Sequence, residues 1–508
     1  MTINYKITIY DVEGNIRVID NLSDEFDSNE MFPDVIESIV DKNNVDHFQI
    51  YVEDLKTNTW DKVLPEDLSS QLEYDDYHYK WLNYTLRDVQ DAFHLFDNVI
   101  NIVIDGPGIG RYLGEKQGIT IDNSNSLVIK DVKITANGLI INATSNESKV
   151  ELDNTILEGK VFNQGSLTIK NTNSVSNITG SGKTEIISTG KLTTSELVQN
   201  ELVNNGVLTV NNLQITTSAD NSGTITNNGT ISSIKNLTNT GLIDGTGNLE
   251  LSGDSTNKGT ISQAVIKVSG TLDNTLGKLS ATDKIENTGT ITTSADKIIA
   301  TNGIKNDNIL ILTDGSLSTQ ILGSGTTKIN GTVINNLAIS QNVEVASTGA
   351  LTVKANIGNL VNNGTVNANA NNLTGTITNL NSLVLTGGTL SNEIIGTGTT
   401  NIIGTVINNV AISQDVNVDT TGKLTVNANI GNLTNNGDVS VSTTNLTGTI
   451  NNLGTLNLSG TLDKEILGNG TTSVNGTLNL SSSAKIDGTL DLNNGSISTT
   501  DSSYTNYK

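Results

Sequence analysis

Ile, Leu and Val recur at alternate positions through most of the chain, as in LVIKDVKITANGLIINAT at residues 127–144. A period of two marks a strand with one buried face. The apolar positions come in short groups divided by Asn, Thr and Gly, so the pattern predicts many short strands joined by tight corners. Glycine-led corners measure the spacing: NSG, NTG and NKG place Gly223, Gly241 and Gly259 at intervals of 18 residues, Gly206 precedes by 17, Gly229 follows Gly223 by 6 and Gly289 follows Gly259 by 30. The small unit is therefore about six residues, one strand and one turn, and three such units make one coil.

A longer repeat lies over this one. ILGSGTTKINGTVINN at residues 321–336 returns as IIGTGTTNIIGTVINN at 394–409, and LTVKANIGNL beginning at Leu351 returns as LTVNANIGNL beginning at Leu424. Gly323 to Gly396 is 73 residues and Gly396 to Gly468 is 72, which predicts about four coils per repeat. One coil cannot bury its apolar residues alone and must stack on its neighbours. The expected fold class is mostly β, a long parallel β-helix: a three-sided β-solenoid of about 18 residues per coil, with a small α+β N-terminal domain and a capping helix before it. Ile, Leu and Val are expected inside, with Asn and Thr outside or aligned in ladders. Asn tolerates the left-handed backbone of a sharp corner, and stacked amides can bond from coil to coil. At about 4.8 Å per coil, about 21 coils would make a rod on the order of 100 Å long.

The first 112 residues read differently. YKITIYD and NIRVID flank VEGN as a hairpin, SNEMFPDVIESIVDK reads as a short helix, and HFQIYVEDL resumes strand alternation. The order strand, strand, helix, strand is loosely similar to a β-grasp module. In TLRDVQDAFHLFDNVI, residues 85–100, Leu86, Val89, Phe93, Phe96 and Ile100 fall at helical spacing, with Thr85 and Asp88 set as a capping box. This helix is expected to cover the first exposed edge of the stack. The predicted divisions are an acidic α+β head at 1–82, the capping helix and entry to the solenoid at 83–112, β-helix repeats at 113–500 and a polar tail at 501–508.

Composition sharpens the boundary. Every His, Trp, Pro and Arg of the chain precedes Tyr112. Of 53 acidic and 29 basic residues, 23 and 8 lie at 1–112, so that segment carries −15 and the remaining 396 residues −9. A net charge of −24 argues against nucleic-acid backbones and anionic membranes as partners. Zero cysteines exclude disulfides, thiolate zinc sites and a cysteine nucleophile. The N-terminal MTINYKITIYDVEGN has no basic segment followed by an apolar run, and no stretch approaches a membrane span. The expected location is a virion surface, or the cell surface by a non-Sec route, with the cytoplasm as the remaining alternative.

Candidate chemistry is sparse. NITGSGKTEI at 177–186 contains GSGKT, which in a P-loop would cradle phosphates with backbone amides and Lys183. Asn177 stands where that motif needs Gly, and strand-like alternation follows Thr184 instead of a helix. Gly180 and Gly182 align with Gly323 and Gly325, Gly396 and Gly398, and Gly468 and Gly470, so the phrase reads as a repeat corner. DGPGIGRYLG at 105–114 reads as a turn into the first coils. Asp244, Asp254, Asp307 and Asp487 are isolated, as a pair of catalytic carboxylates would not be. Asp75, Asp76 and His78 in EYDDYHYKW suit an acidic loop better than a metal site. N-x-S/T triplets at Asn142, Asn228, Asn372 and Asn445 arise by chance in such a composition. No catalytic, cofactor-binding or metal-binding residue is assigned.

The phrases GITIDNSNSLVIKDVKI, NNGTI, NTGTI and GTGTT over about residues 99–500 resemble right-handed parallel β-helix proteins, pectin-lyase-like and filamentous-haemagglutinin-like. The likeness extends to adhesin-like passengers of microbial surfaces and to β-helical viral and phage fibres. That resemblance implies a non-enzymatic structural and adhesive rod, its head attached to a particle or envelope and its solenoid contacting a host or neighbouring surface or its glycans. A homo-oligomer would accompany a viral fibre. The alternatives are a polysaccharide-degrading or polysaccharide-binding β-helix and, from TIT at Thr224, Thr290 and Thr376, an ice-binding solenoid.

Overall fold

The computed structural model describes residues 2–11, 16–25, 45–54, 59–62, 101–105, 118–121, 126–130, 133–134, 140–229 and 232–499. The chain forms two compact units, Met1–Ile266 and Lys267–Lys508. Both are built of short parallel strands wound into coils about 17 residues apart, and together they hold about 21 turns. The expected helices at 28–42 and 85–100, the glycines of 106–114 and the acidic loop at 73–81 lie outside the described residues.

The first unit opens with a four-stranded antiparallel sheet in the order Ile16–Glu25, Thr2–Asp11, Val45–Asp54, Thr59–Lys62. The expected hairpin pairs Ile9 with Arg17 and Thr8 with Val18. The strand at Thr59–Lys62 has only four residues and was not legible as alternation. The likeness to a β-grasp module rested on element order alone, and every described pairing here is antiparallel.

In the solenoid the alternation does what the pattern predicts. Along Lys191–Asn204, inward positions come in three pairs, Leu192 and Thr194, Leu197 and Gln199, Leu202 and Asn204, all buried. The next coil repeats them as Leu208 and Val210, Leu213 and Ile215, Ala219 and Asn221, each in register with its counterpart. Three inward pairs per coil make the three sides. Each leucine is enclosed by the coils beside it, so truncation to Ala costs about 2–5 kcal/mol through lost burial and a cavity. Left-handed Asn residues occupy corners at Asn154, Asn171 and Asn236, with φ of 54°, 51° and 51°.

The interior is less apolar than expected, because Asn is inside it. Asn204, Asn221, Asn239 and Asn257 are at most 2% exposed and stand one above another. Each of the first three donates its amide to the next carboxamide oxygen at 2.7 Å. A buried amide without a partner costs about 1–3 kcal/mol, so the ladder is a condition for burying these side chains. It begins at Asn204, whose Oδ1 has no partner because the rung beneath it is Ile186.

The long repeat in the second unit does not contain a whole number of coils. Ile321 stacks on Ile339. Its repeat counterpart Ile394 stacks on Ile377 and Leu360, in the column that passes through Val343. Ile466 stacks on Ile450 and Leu433, in the column that runs through Val416, Thr400, Leu383 and Val366 to Leu351. Ile339, Val343 and Leu351 are consecutive inward positions on the three sides of a single coil. Each repeat is therefore four coils and one further side, and successive copies step from face to face. The expectation of about four coils was short by that third of a turn, because the two spacings differ by only a few residues.

Candidate functional site

The phosphate-loop-like phrase is a corner that ends an Asn ladder. Asn163, Asn227, Asn306 and Asn379 are fully buried, and one coil on from them stand Gly180, Gly245, Gly323 and Gly396, with φ of +120°, +117°, +105° and +116°. A Cβ at any of these glycines would run into the carbonyl oxygen of the Asn beneath. The next two amides then return to the preceding coil: Gly182 N to Asn163 O at 2.9 Å and Lys183 N to Gly165 O at 2.8 Å. The same pair recurs at Gly398 and Thr399, bonded to Asn379 O at 3.0 Å and Asn381 O at 2.7 Å. Amides engaged in this way do not point at a phosphate. Lys183 itself lies in the strand Lys183–Ile186, with Nζ 3.5 Å from Glu185 Oε2.

A glycine in the column leaves a gap inside, and Gln from the following coil fills it. Asn163 Nδ2 donates to Gln199 Oε1 at 2.7 Å, Asn227 Nδ2 to Gln263 Oε1 at 2.7 Å, and Asn379 Nδ2 to Gln414 Oε1 at 3.1 Å. Gln414 also donates to Thr400 Oγ1 at 2.8 Å. In the remaining copy Gln341 bonds Thr327 Oγ1 at 2.6 Å, while Asn306 turns to Asn308 O and Thr326 O and leaves Gln341 Oε1 unpartnered. Sequence reasoning found the glycines but missed these glutamines. The signal was present: Gln199, Gln263, Gln341 and Gln414 each stand 18 or 19 residues after the first glycine of a phrase.

The isolated carboxylates stay apart. Asp307 pairs with Lys305 at 3.1 Å and Asp487 with Lys485 at 3.2 Å. Hydrogen bonding from Lys305, and then from the Ser324 amide, holds the Asp307 carboxyl below its ordinary range. Asp244 accepts from Thr226 Oγ1 at 2.8 Å, and the Asp254 amide donates to Asn236 Oδ1 at 2.9 Å. Among the described residues no group of three or more His, Cys, Asp or Glu could hold a metal ion, and no helix is long and apolar enough to cross a membrane. The column containing Thr224 reads Val207, Thr224, Leu242, Thr260, so threonine alternates there with aliphatic residues.

Two open grooves do recur, at positions 73 residues apart. The short 3₁₀ turns Ala370–Asn372 and Thr443–Asn445 each follow a strand and lift the chain off the corner. Beside the first is a cavity of about 630 Å³ bordered by Thr352, Asn367 and Thr386, and beside the second one of about 390 Å³ bordered by Thr425, Ser440 and Ser459. Their floors reach inward residues, Val353 and Ala368 in one and Val426, Val441 and Leu458 in the other. Asn372 and Asn445, both noted in the sequence only as N-x-T triplets, line them. The threonines of those triplets are structural: Thr374 Oγ1 donates to Ile357 O at 2.7 Å and Thr447 Oγ1 to Ile430 O at 2.6 Å.

The grooves stand on adjoining faces. The column of Ala368 passes through Leu385 and Ile402 to Val418, and Val441 stacks on Val426, the next inward strand after Val418. No protein-family model, no curated protein and no solved structure matches the chain, so its fold and its site stand on its own residues.

Proposed function

We propose that this protein is a non-enzymatic structural and adhesive β-solenoid that contacts a host or neighbouring surface through its outward faces, with the acidic N-terminal region engaging an assembly partner. One observation carries the reading: repeat-defining residues serve stacking, while the outward positions form neutral fields of amides and hydroxyls. Leu351, Val353 and Ile357 recur as Leu424, Val426 and Ile430, all buried. The outward Lys354 recurs as Asn427. Inside, the polar residues are bonded to one another from rung to rung. Outside, the carboxylates are dispersed and several are paired with lysines, as Glu151 is with Lys170 at 2.7 Å and Glu344 with Lys328 at 3.2 Å. Such a surface suits broad contact and lacks the gathered charges that hydrolysis of a glycosidic bond requires.

Immunogold labelling of intact cells or particles of the source, with antibody against the purified chain, tests this. Label on the outer surface supports the reading, and label confined to the interior overturns it. Incubation with polysaccharides is expected to release no new reducing ends.

A further inference from the structure

We propose that the two homologous grooves are a repeated binding site for a neutral, hydroxyl-rich ligand of the oligosaccharide class. The proposal deepens the surface-contact reading and rests on it for its biological setting. Three observations carry it.

The first is the state of the polar groups. Elsewhere on the solenoid, outward amides bond between coils, as Asn359 does to Asn342 at 3.0 Å and Asn432 to Asp415 at 2.8 Å. Around the grooves Thr352, Asn367, Thr386, Thr425 and Ser459 use no side-chain hydrogen bond within the chain. They form a field of donors and acceptors open to a partner. Hydroxyls both give and accept, as do the hydroxyls of a sugar.

The second is geometry. Thr425 faces Ser440 and Ser440 faces Asn457 on successive coils, and Ser442 faces Ser459 beside them. Outward residues on one strand are about 6.6 Å apart and coils about 4.8 Å apart. This makes two rails of polar groups over an aliphatic floor, and a pyranose chain presents hydroxyls at its edges and C–H groups on its face. The volumes lie within the usual range for small-ligand sites, about 300–1,000 Å³. A peptide is a poorer fit, because strand addition needs a free sheet edge and the backbone here is bonded to the coils on both sides.

The third is charge. The only ionisable residue lining either groove is Lys354, and Asn427 replaces it in the second. What the two share is uncharged, so recognition that depends on both copies is uncharged. The earlier copy of the turn, Ala295–Lys297, departs from this: Lys297 Nζ donates to Thr275 O at 3.0 Å and Leu276 O at 3.4 Å, laying a cation along its corner.

Isothermal titration calorimetry of the full chain against neutral hexaoses of glucose, mannose and N-acetylglucosamine tests the proposal, with oligogalacturonate as the charged comparison. The expected result is two sites per chain for one neutral series. Thr352→Val with Asn367→Leu should reduce this to one site, and adding Ser440→Val with Asn457→Leu should abolish it, with circular dichroism unchanged. Lys354→Asn should alter the affinity less than threefold. The proposal is overturned if no neutral hexaose binds, if the fourfold variant still binds, or if only the oligogalacturonate binds. Attachment of the wild-type chain to source-relevant cells is measured in parallel. Attachment that persists in the fourfold variant removes the groove and leaves the surface-contact reading. Absence of wild-type attachment removes that reading, while the calorimetry still decides the groove.

Discussion

The Asn column at residues 204–257 and the one at residues 362–379 follow the same rule and end differently. The first carries Asn on four successive rungs, joined amide to amide. In the second Asn362 bonds Asn379 at 2.7 Å, and the following rung is Gly396. The contrast shows that glycine, and not any change in the amides, stops a ladder. It turns the chain where a side chain would meet the carbonyl beneath, and the gap it leaves is closed by Gln414. A phrase that looks like phosphate chemistry is the place where a ladder is cut and plugged.

Substitutions that erase this difference are expected to be costly in a definite order. Gly396→Val should have the largest effect, about 4 kcal/mol or failure to fold, because the backbone is left-handed and the new side chain meets Asn379 O. Urea unfolding checks it, and a change under 1 kcal/mol would remove the steric account. Asn221→Ala, in the middle of the uninterrupted ladder, should cost about 3 kcal/mol, since Asn204 loses its acceptor and Asn239 its donor.

The plug gives a finer comparison. Gln414→Leu should cost about 2 kcal/mol because both Asn379 and Thr400 lose a partner. Gln341→Leu should cost less than about 1 kcal/mol, since Gln341 Oε1 is already unpartnered and Asn306 bonds elsewhere. Equal losses in the two variants would contradict the distinction drawn between these copies. The smallest effect concerns acid. The Asp307 carboxyl is held below its ordinary value of 3.8 by Lys305, so its stabilising share is present above that value and is lost as pH falls through the lowered one. Asp307→Asn should flatten a shallow decline of stability in that acidic window, read by thermal melts at stepped pH. The effect is small, because the group is exposed and screened.

Much of this architecture was legible before any coordinates. Alternation gave the strands, Gly223, Gly241 and Gly259 gave the coil, and the sister copies exposed GSGKT as a corner. The glutamines were not legible, because the contact that explains Gln199 reaches Asn163, 36 residues and two coils away. The screw was hidden for a different reason: four coils and four coils plus one side differ by only a few residues over 73, less than the coil length itself varies. The grooves were concealed by ordinary composition. Asn372 and Asn445 stood out only as chance sequons, and their shared position beside a 3₁₀ turn is a fact of the corner.

The stepping of the repeat from face to face is the claim on which the placement of the grooves depends. Disulfide formation in two double-cysteine variants tests it most directly, in a chain with no cysteine of its own. Thr378 and Ile395 are paired rungs, so Thr378→Cys with Ile395→Cys should cross-link on mild oxidation, seen as a mass loss of about 2 Da that reductant reverses. Were each repeat four whole coils, the column of Ile321, Ile339, Ile357 and Leu373 would continue to Ile394, and Ile395 would lie against Thr374. Cross-linking of Thr374→Cys with Ile395→Cys, and not of the first pair, would contradict the account.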